Sequence, residues 1–175
     1  MEGCKNISAT TGPHVSAEGI DLIAHFEGLR LEAYPDPGTG GAPWTIGYGA
    51  TFYEDGSKVK PGDKITIERA KQLLAYHLRK FEGKVLQKIK RPLKQQEFDA
   101  AVSFCFNAGT SYKSGGRWRD YDLWAKINNN TPAEEMVRYW ENLAVTAGGR
   151  KLNGLVRRRK AEAHLYTTGD MKFFG

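Results

Sequence analysis

The sequence has no long apolar run. Nowhere in its 175 residues does a stretch approach the ~18 consecutive apolar residues of a spanning helix, so stable membrane insertion is not expected. Residues Met1 to His14 carry Lys5 but no apolar core, which excludes a secretory signal or signal anchor there and implies synthesis in a cytosol. Cysteine is scarce: Cys4 and Cys105 are too few for a disulfide framework. Cys4 lies in a polar tail, and Cys105 shares an expected helix face with Phe98, Ala101 and Val102, where a thiol behaves as a small apolar group. A Cys4–Cys105 bridge is the one pairing left open, after export to an oxidising space. The four histidines, at 14, 25, 77 and 164, show no metal-ligand spacing, so no metal is expected. Internal repeats and low-complexity tracts are absent as well.

What remains is an ordinary globular composition, 40% hydrophobic and 26% charged. The length suits one core, or two lobes sharing a helix, better than two independent domains. A net charge of +6, with basic residues concentrated from Arg79 to Lys94 and from Arg150 to Lys160, points to an anionic partner or environment. Nucleic acid, a bacterial envelope and a merely solvated face fit that charge alike.

The pattern divides the chain. Residues 1 to 15 read as a loosely ordered tail. A helix follows from Ser16, which can cap it, to Gly28, which can end it in the left-handed conformation. Residues 30 to 65, rich in Gly, Pro, Thr and aromatics with turns at Asp55-Gly56 and Pro61-Gly62-Asp63, read as a small β lobe. From about Thr66 to Ile89, residues Ala70, Leu73, Leu74, His77, Leu78, Phe81 and Val85 form an apolar helical stripe, long enough for a strut between lobes. His77 on that stripe reads as a hydrogen-bonded interior or lobe-junction residue. Further helices are expected over 93–108, from a Thr131-Pro132-Ala133-Glu134 start, and over 155–166, where Arg158 and Glu162 make an i, i+4 pair. Ser111 to Asp122 reads as a flexible loop whose aromatic and basic residues serve either to stack on sugars or bases or to anchor the loop.

Chemistry concentrates between Phe26 and Gly49. At about 100° per residue, Glu27 falls on the same helix side as Ile20, Ile23 and Ala24. Desolvation there and the negative end of the helix dipole both favour a protonated carboxyl, as a general acid requires. Asp36, between two prolines and before a Gly-rich turn, is expected to be wetter and ionised. Two carboxyls biased in opposite directions suit hydrolysis of an acetal, and the Thr45 hydroxyl can help hold a water beside Asp36. The same spacing also fits a helix-end carboxylate paired with Arg30, an Asp-Pro turn and an ordinary strand threonine. Spacing alone leaves both readings open.

Glu27-Gly28-Leu29-Arg30, Ala33-Tyr34, Asp36 and Thr45-Ile46-Gly47-Tyr48-Gly49 resemble the active-site signature of phage-type lysozymes, the glycoside hydrolase family 24 endolysins. The resemblance extends through Phe98-Asp99-Ala100, Phe104 to Gly109 and Gly154 to Glu162, and so covers most of the chain after the tail. It implies a catalytic triad of Glu27, Asp36 and Thr45. Two departures stand out. The loop from Asp36 to Thr45 holds eight residues, longer than in the shortest members, and Ala50 follows Gly49 where many relatives place a histidine, which suggests a different way of stabilising the β lobe.

The resemblance implies an α+β, lysozyme-like architecture: a single domain with an N-terminal lobe over 16–65, a connecting helix over 66–90 and a helical lobe over 91–175. It implies hydrolysis, without cofactor, of the β-1,4 bond between N-acetylmuramic acid and N-acetylglucosamine in peptidoglycan, with inversion and carboxyls about 6.5–9.5 Å apart. The expected partner is the glycan strand, with no nucleic acid, for a monomer that waits in the host cytoplasm until a pore admits it to the wall. Two competitors are a lytic transglycosylase, which Asp36 argues against, and a non-enzymatic basic module, which would leave the Glu27 and Asp36 arrangement without a role.

Overall fold

The computed structural model describes residues 13–175. Cys4, and with it the Cys4–Cys105 pairing, and most of the tail lie outside the described residues. Six helices and three two-stranded antiparallel sheets make up the described chain, an α+β fold.

Helix α1, Ala17–Phe26, begins where Ser16 Oγ accepts the Gly19 N–H. The same cap is tied to a distant helix: Ser16 N–H and Oγ both donate to Asp99, whose Oδ1 also accepts from Gln95. The C-terminus corrects the sequence reading. The helix ends at Phe26, Glu27 is already extended at φ −99° and ψ 144°, and Gly28 is not left-handed. No reversal is needed there, because the chain runs straight on into strand β1, Arg30–Tyr34.

Strand β1 pairs with β2, Thr45–Gly47, so that Tyr34 faces Thr45 and Arg30 faces Gly47. Its other edge bonds to the segment that precedes the long helix, through Ala33 N–H to Asp63 O and Ile65 N–H to Leu31 O. Ile46, Ala50, Val59 and Leu73 form a small core of their own. The lobe is fastened to the long helix by Arg69, which donates to both oxygens of Glu54 at 2.7 and 2.6 Å. That guanidinium pulls the Glu54 carboxyl down to about 2.

Helix α2, Ile67–Lys88, follows the expected span closely and is capped by Thr66. Ala70, Leu73, Leu74, Leu78 and Val85 are buried as the stripe requires. Glu82, four residues after Leu78 and three before Val85, is buried with them although the sequence reading left it off the stripe, and it accepts from the Val15 N–H at 2.9 Å with His14 beside it. His77 meets the Phe52 carbonyl at 3.0 Å and the Phe52 ring edge-on. This junction clasp ties the β lobe to α2 in a chain with Ala50 after the glycine.

The larger core gathers around α3, Gln95–Ala108, which packs on α1, α2 and α6 and buries Phe98 through Cys105. Burial pushes the Cys105 thiol up to about 11. The expected loop after α3 is instead a regular hairpin, β3 Ser111–Ser114 with β4 Arg117–Asp120, turned by Gly115 and Gly116 in positive φ. A short helix α4, Asp122–Asn128, follows; no periodic signal marked it. Helix α5, Ala133–Trp140, starts one residue later than its sequence signature suggested: Pro132 occupies the cap position and no side chain caps it. After a small hairpin of β5, Thr146–Ala147, and β6, Arg150–Lys151, helix α6 runs over Asn153–Thr168. Its centre is fully buried between α3 and α5, and Gly169 ends it in the left-handed conformation.

Candidate active site

Glu27 stands where three elements end together. It closes α1, and a cavity of about 630 Å³ beside it is lined by Phe26, by Asn107 near the end of α3, by Leu155, Arg157 and Arg158 near the start of α6, and by Phe174. Its side chain is 27% exposed, so it is only partly desolvated, and its dominant neighbour is a cation. Arg158 Nη1 donates to Glu27 Oε1 at 2.7 Å, while among the described residues no partner engages Oε2. The sequence pointed to Arg30 as an ion-pair candidate; Arg30 instead lies over the Tyr34 ring.

Arg158 is held from behind. It is 3% exposed, its Nε donates to Glu162 Oε1 at 3.2 Å and its Nη2 donates to the Ser103 carbonyl at 3.2 Å. Glu162 is fully buried, yet each oxygen is satisfied: Oε1 also accepts from Ser103 Oγ at 2.7 Å, and Oε2 accepts from Trp140 Nε1 at 3.1 Å and from Arg159 Nη1. Arg159 in turn donates to Asn107 and lies 4.7 Å over the Phe104 ring. Burial pulls the Arg159 guanidinium down and Glu162 opposes that pull. Arg158 thus bridges the two carboxylates and Arg159 backs Glu162 alone, with helices α3, α5 and α6 supplying the remaining donors and acceptors. Such a network is costly to break and confines Glu27 Oε1 to one position.

Asp36 and Thr45 belong to the β lobe. Asp36 lies two residues beyond Tyr34, the residue opposite Thr45, so both sit at the same end of the β1–β2 pair. Asp36 is half-buried; its Oδ1 accepts from the N–H groups of Gly38 and Thr39 at 2.9 and 3.0 Å, and its backbone closes the loop onto Gly40 and Gly41. A short side chain bonded to its own loop in this way has a fixed direction. Neither Asp36 nor Thr45 lines the cavity beside Glu27.

Comparisons with known proteins bear on the family and the fold. The profile described as "Phage lysozyme" matches residues 24–162. The chain belongs to the phage lysozyme family. Among relatives, it is 33% identical over 153 residues to the endolysin of Salmonella phage P22, covering 87% of this chain and 97% of that one. It is 35% identical over 159 residues to the endolysin of Bacillus phage B103, covering 91% of this chain but 56% of that one. The chain therefore spans about half the length of the Bacillus phage relatives it matches. Among solved structures, the endolysin from Escherichia coli O157:H7 phage FAHEc1 superposes with a TM-score of 0.67 at 36% identity, covering 93% of this chain and 98% of that one. The lysozyme-like fold is thereby shown for the described residues.

Sequence reasoning missed most of the support around Glu27. The Arg158–Glu162 pair was legible as an i, i+4 spacing, and the Arg-Arg-Arg run marked α6, but nothing local signalled that Arg158 would reach a residue 131 positions away. Phe174, which lines the cavity from the C-terminal segment, had no signal at all.

Proposed function

We propose that this phage lysozyme family chain is an endolysin, a muramidase that hydrolyses the β-1,4 bond between N-acetylmuramic acid and N-acetylglucosamine in bacterial peptidoglycan and so lyses the phage host. The observation that carries the reading is Glu27 at the wall of a cavity, with Oε1 fixed by Arg158 and Oε2 facing no partner among the described residues. Glu27 Oε2 protonates the glycosidic oxygen as the bond breaks. Asp36, aimed by its own loop, activates water and stabilises positive charge on the sugar, and the Thr45 hydroxyl holds that water; water attack from the opposite face gives inversion. Asp36 and Thr45 enter on the family resemblance together with their shared place in the β lobe. The chain acts as a monomer on glycan strands, made in the host cytoplasm and reaching the wall through a pore formed by another protein.

Product analysis tests the reaction. Digested sacculi should give fragments ending in reducing N-acetylmuramic acid, and proton NMR of the first product should show the anomer opposite to the substrate. A 1,6-anhydro end by mass spectrometry would make the chain a transglycosylase, and retained configuration would assign Asp36 a nucleophilic role.

A further inference from the structure

The β3–β4 hairpin leaves the body of the protein just after Asn107, a lining residue of the cavity beside Glu27, through Gly109 in positive φ. Its base is fixed. Tyr112 stacks at 5.1 Å on Tyr121, whose ring meets Phe104 edge-on; Trp124 Nε1 donates to the Thr110 carbonyl at 2.8 Å; and Lys88 holds Asp120 at 2.7 Å. The aromatic anchoring of this segment is therefore supplied by Tyr112 and Tyr121. Trp118 has no such task. It pairs with Lys113 across the hairpin, on the face opposite Tyr112, and is 71% exposed, the most exposed of the large hydrophobic side chains among the described residues. Water contact at a full indole is a cost that folding does not repay. Lys113 shares the face of Trp118, while Arg117 and Arg119 belong to the opposite face; all three are exposed, and the only acid of the hairpin, Asp120, is already paired with Lys88.

We propose that this hairpin is a wall-binding arm: Trp118 stacks on a sugar ring of the glycan strand, and Lys113, Arg117 and Arg119 meet the carboxylates of the stem peptides the strand carries. The proposal rests on the peptidoglycan reading and adds a second contact to it. An exposed indole beside Lys113 on one face of the arm, with Arg117 and Arg119 on the other, matches a polymer in which sugar rings alternate with anionic peptides. The chain joins the arm to the wall of the Glu27 cavity through Asn107 to Gly109.

The test uses the full chain carrying Glu27→Gln, so that sacculi are bound without being cut. Adding Trp118→Ala should weaken binding to purified sacculi about tenfold, and Trp118→Tyr should restore most of it. Changing Lys113, Arg117 and Arg119 together to Gln should flatten the salt dependence of that binding. With Glu27 intact, Trp118→Ala should act on KM more than on kcat. The exposure of Trp118 means that thermal stability should hold in each single variant. Unchanged sacculus binding in Trp118→Ala, or weakening confined to duplex DNA or to phosphatidylglycerol vesicles, overturns the arm. Cleavage that survives Glu27→Gln overturns the underlying reaction instead, so the two failures are distinguishable.

Discussion

Arg158 touches two carboxylates from a nearly dry position, and its removal therefore has two separable effects. Arg158→Met leaves Glu162 buried with one donor fewer and frees Glu27 Oε1, so stability should fall by about 3–5 kcal/mol in urea titration. Arg158→Lys keeps the charge but loses the guanidinium fork that spans Glu27, Glu162 and Ser103; lytic rate should fall at least tenfold, chiefly in kcat, with a smaller loss of stability. An unchanged rate in Arg158→Lys would mean that Glu27 does not depend on this fork. Trp140→Phe withdraws a single N–H from Glu162 and should cost about 1–3 kcal/mol with the fold intact. At this scale the sequence was informative about identity and silent about company. Helix phase marked Glu27 as unusual and the i, i+4 rule marked Arg158 with Glu162, but only tertiary folding joins the two pairs.

Helix α1 shows how an element can be governed by a neighbour rather than by its own propensity. Gly19 sits in the first turn of α1, its N–H bonded to the Ser16 cap, and alanine in place of a helical glycine ordinarily gains up to about 1 kcal/mol. A Cβ there would lie 2.5 Å from Val15 Cγ1 and 2.7 Å from Asp99 Cγ, so Gly19→Ala should lower the melting temperature as α1 is pushed off α3. A rise in melting temperature would show that the α1–α3 contact yields easily. The β lobe has its own handle in Glu54. Its folded pKa is depressed by Arg69, so its contribution is complete above the ordinary glutamate range and is lost as pH falls from about 4.5 towards about 2. Glu54→Gln should be less stable than wild type at pH 7, and the difference should vanish near pH 2. Periodicity found α1, α2, α3 and α6 within a few residues, because long apolar stripes are read directly from spacing. It missed α4 and the β3–β4 and β5–β6 hairpins, which are short and partly or wholly exposed, and it misplaced the α5 cap, where the proline at 132 supplies the cap position in place of Thr131. Glu82 escaped because a buried carboxylate on an apolar face is recognised only once His14 and the Val15 N–H are known to meet it.

At the scale of the whole molecule, a small core lies under the β lobe that carries Asp36 and Thr45, and a large core around α3 belongs to the helical part whose α3 and α6 line the cavity beside Glu27. The two parts are joined by β1, by α2 and by the Glu54–Arg69 and His77–Phe52 ties. The fold class was legible in the order of patterns along the chain, and the family resemblance supplied Glu27, Asp36 and Thr45 as a proposed triad. The support that immobilises Glu27 was not legible, since it is assembled from α3, α5 and α6 across more than a hundred residues of sequence. The most direct test of the account is the release of new reducing ends from purified sacculi by wild type and by Glu27→Gln, after both are shown to melt alike. The account predicts steady release by the wild type and none above background by the variant. Release by the variant at a rate comparable to wild type would contradict it.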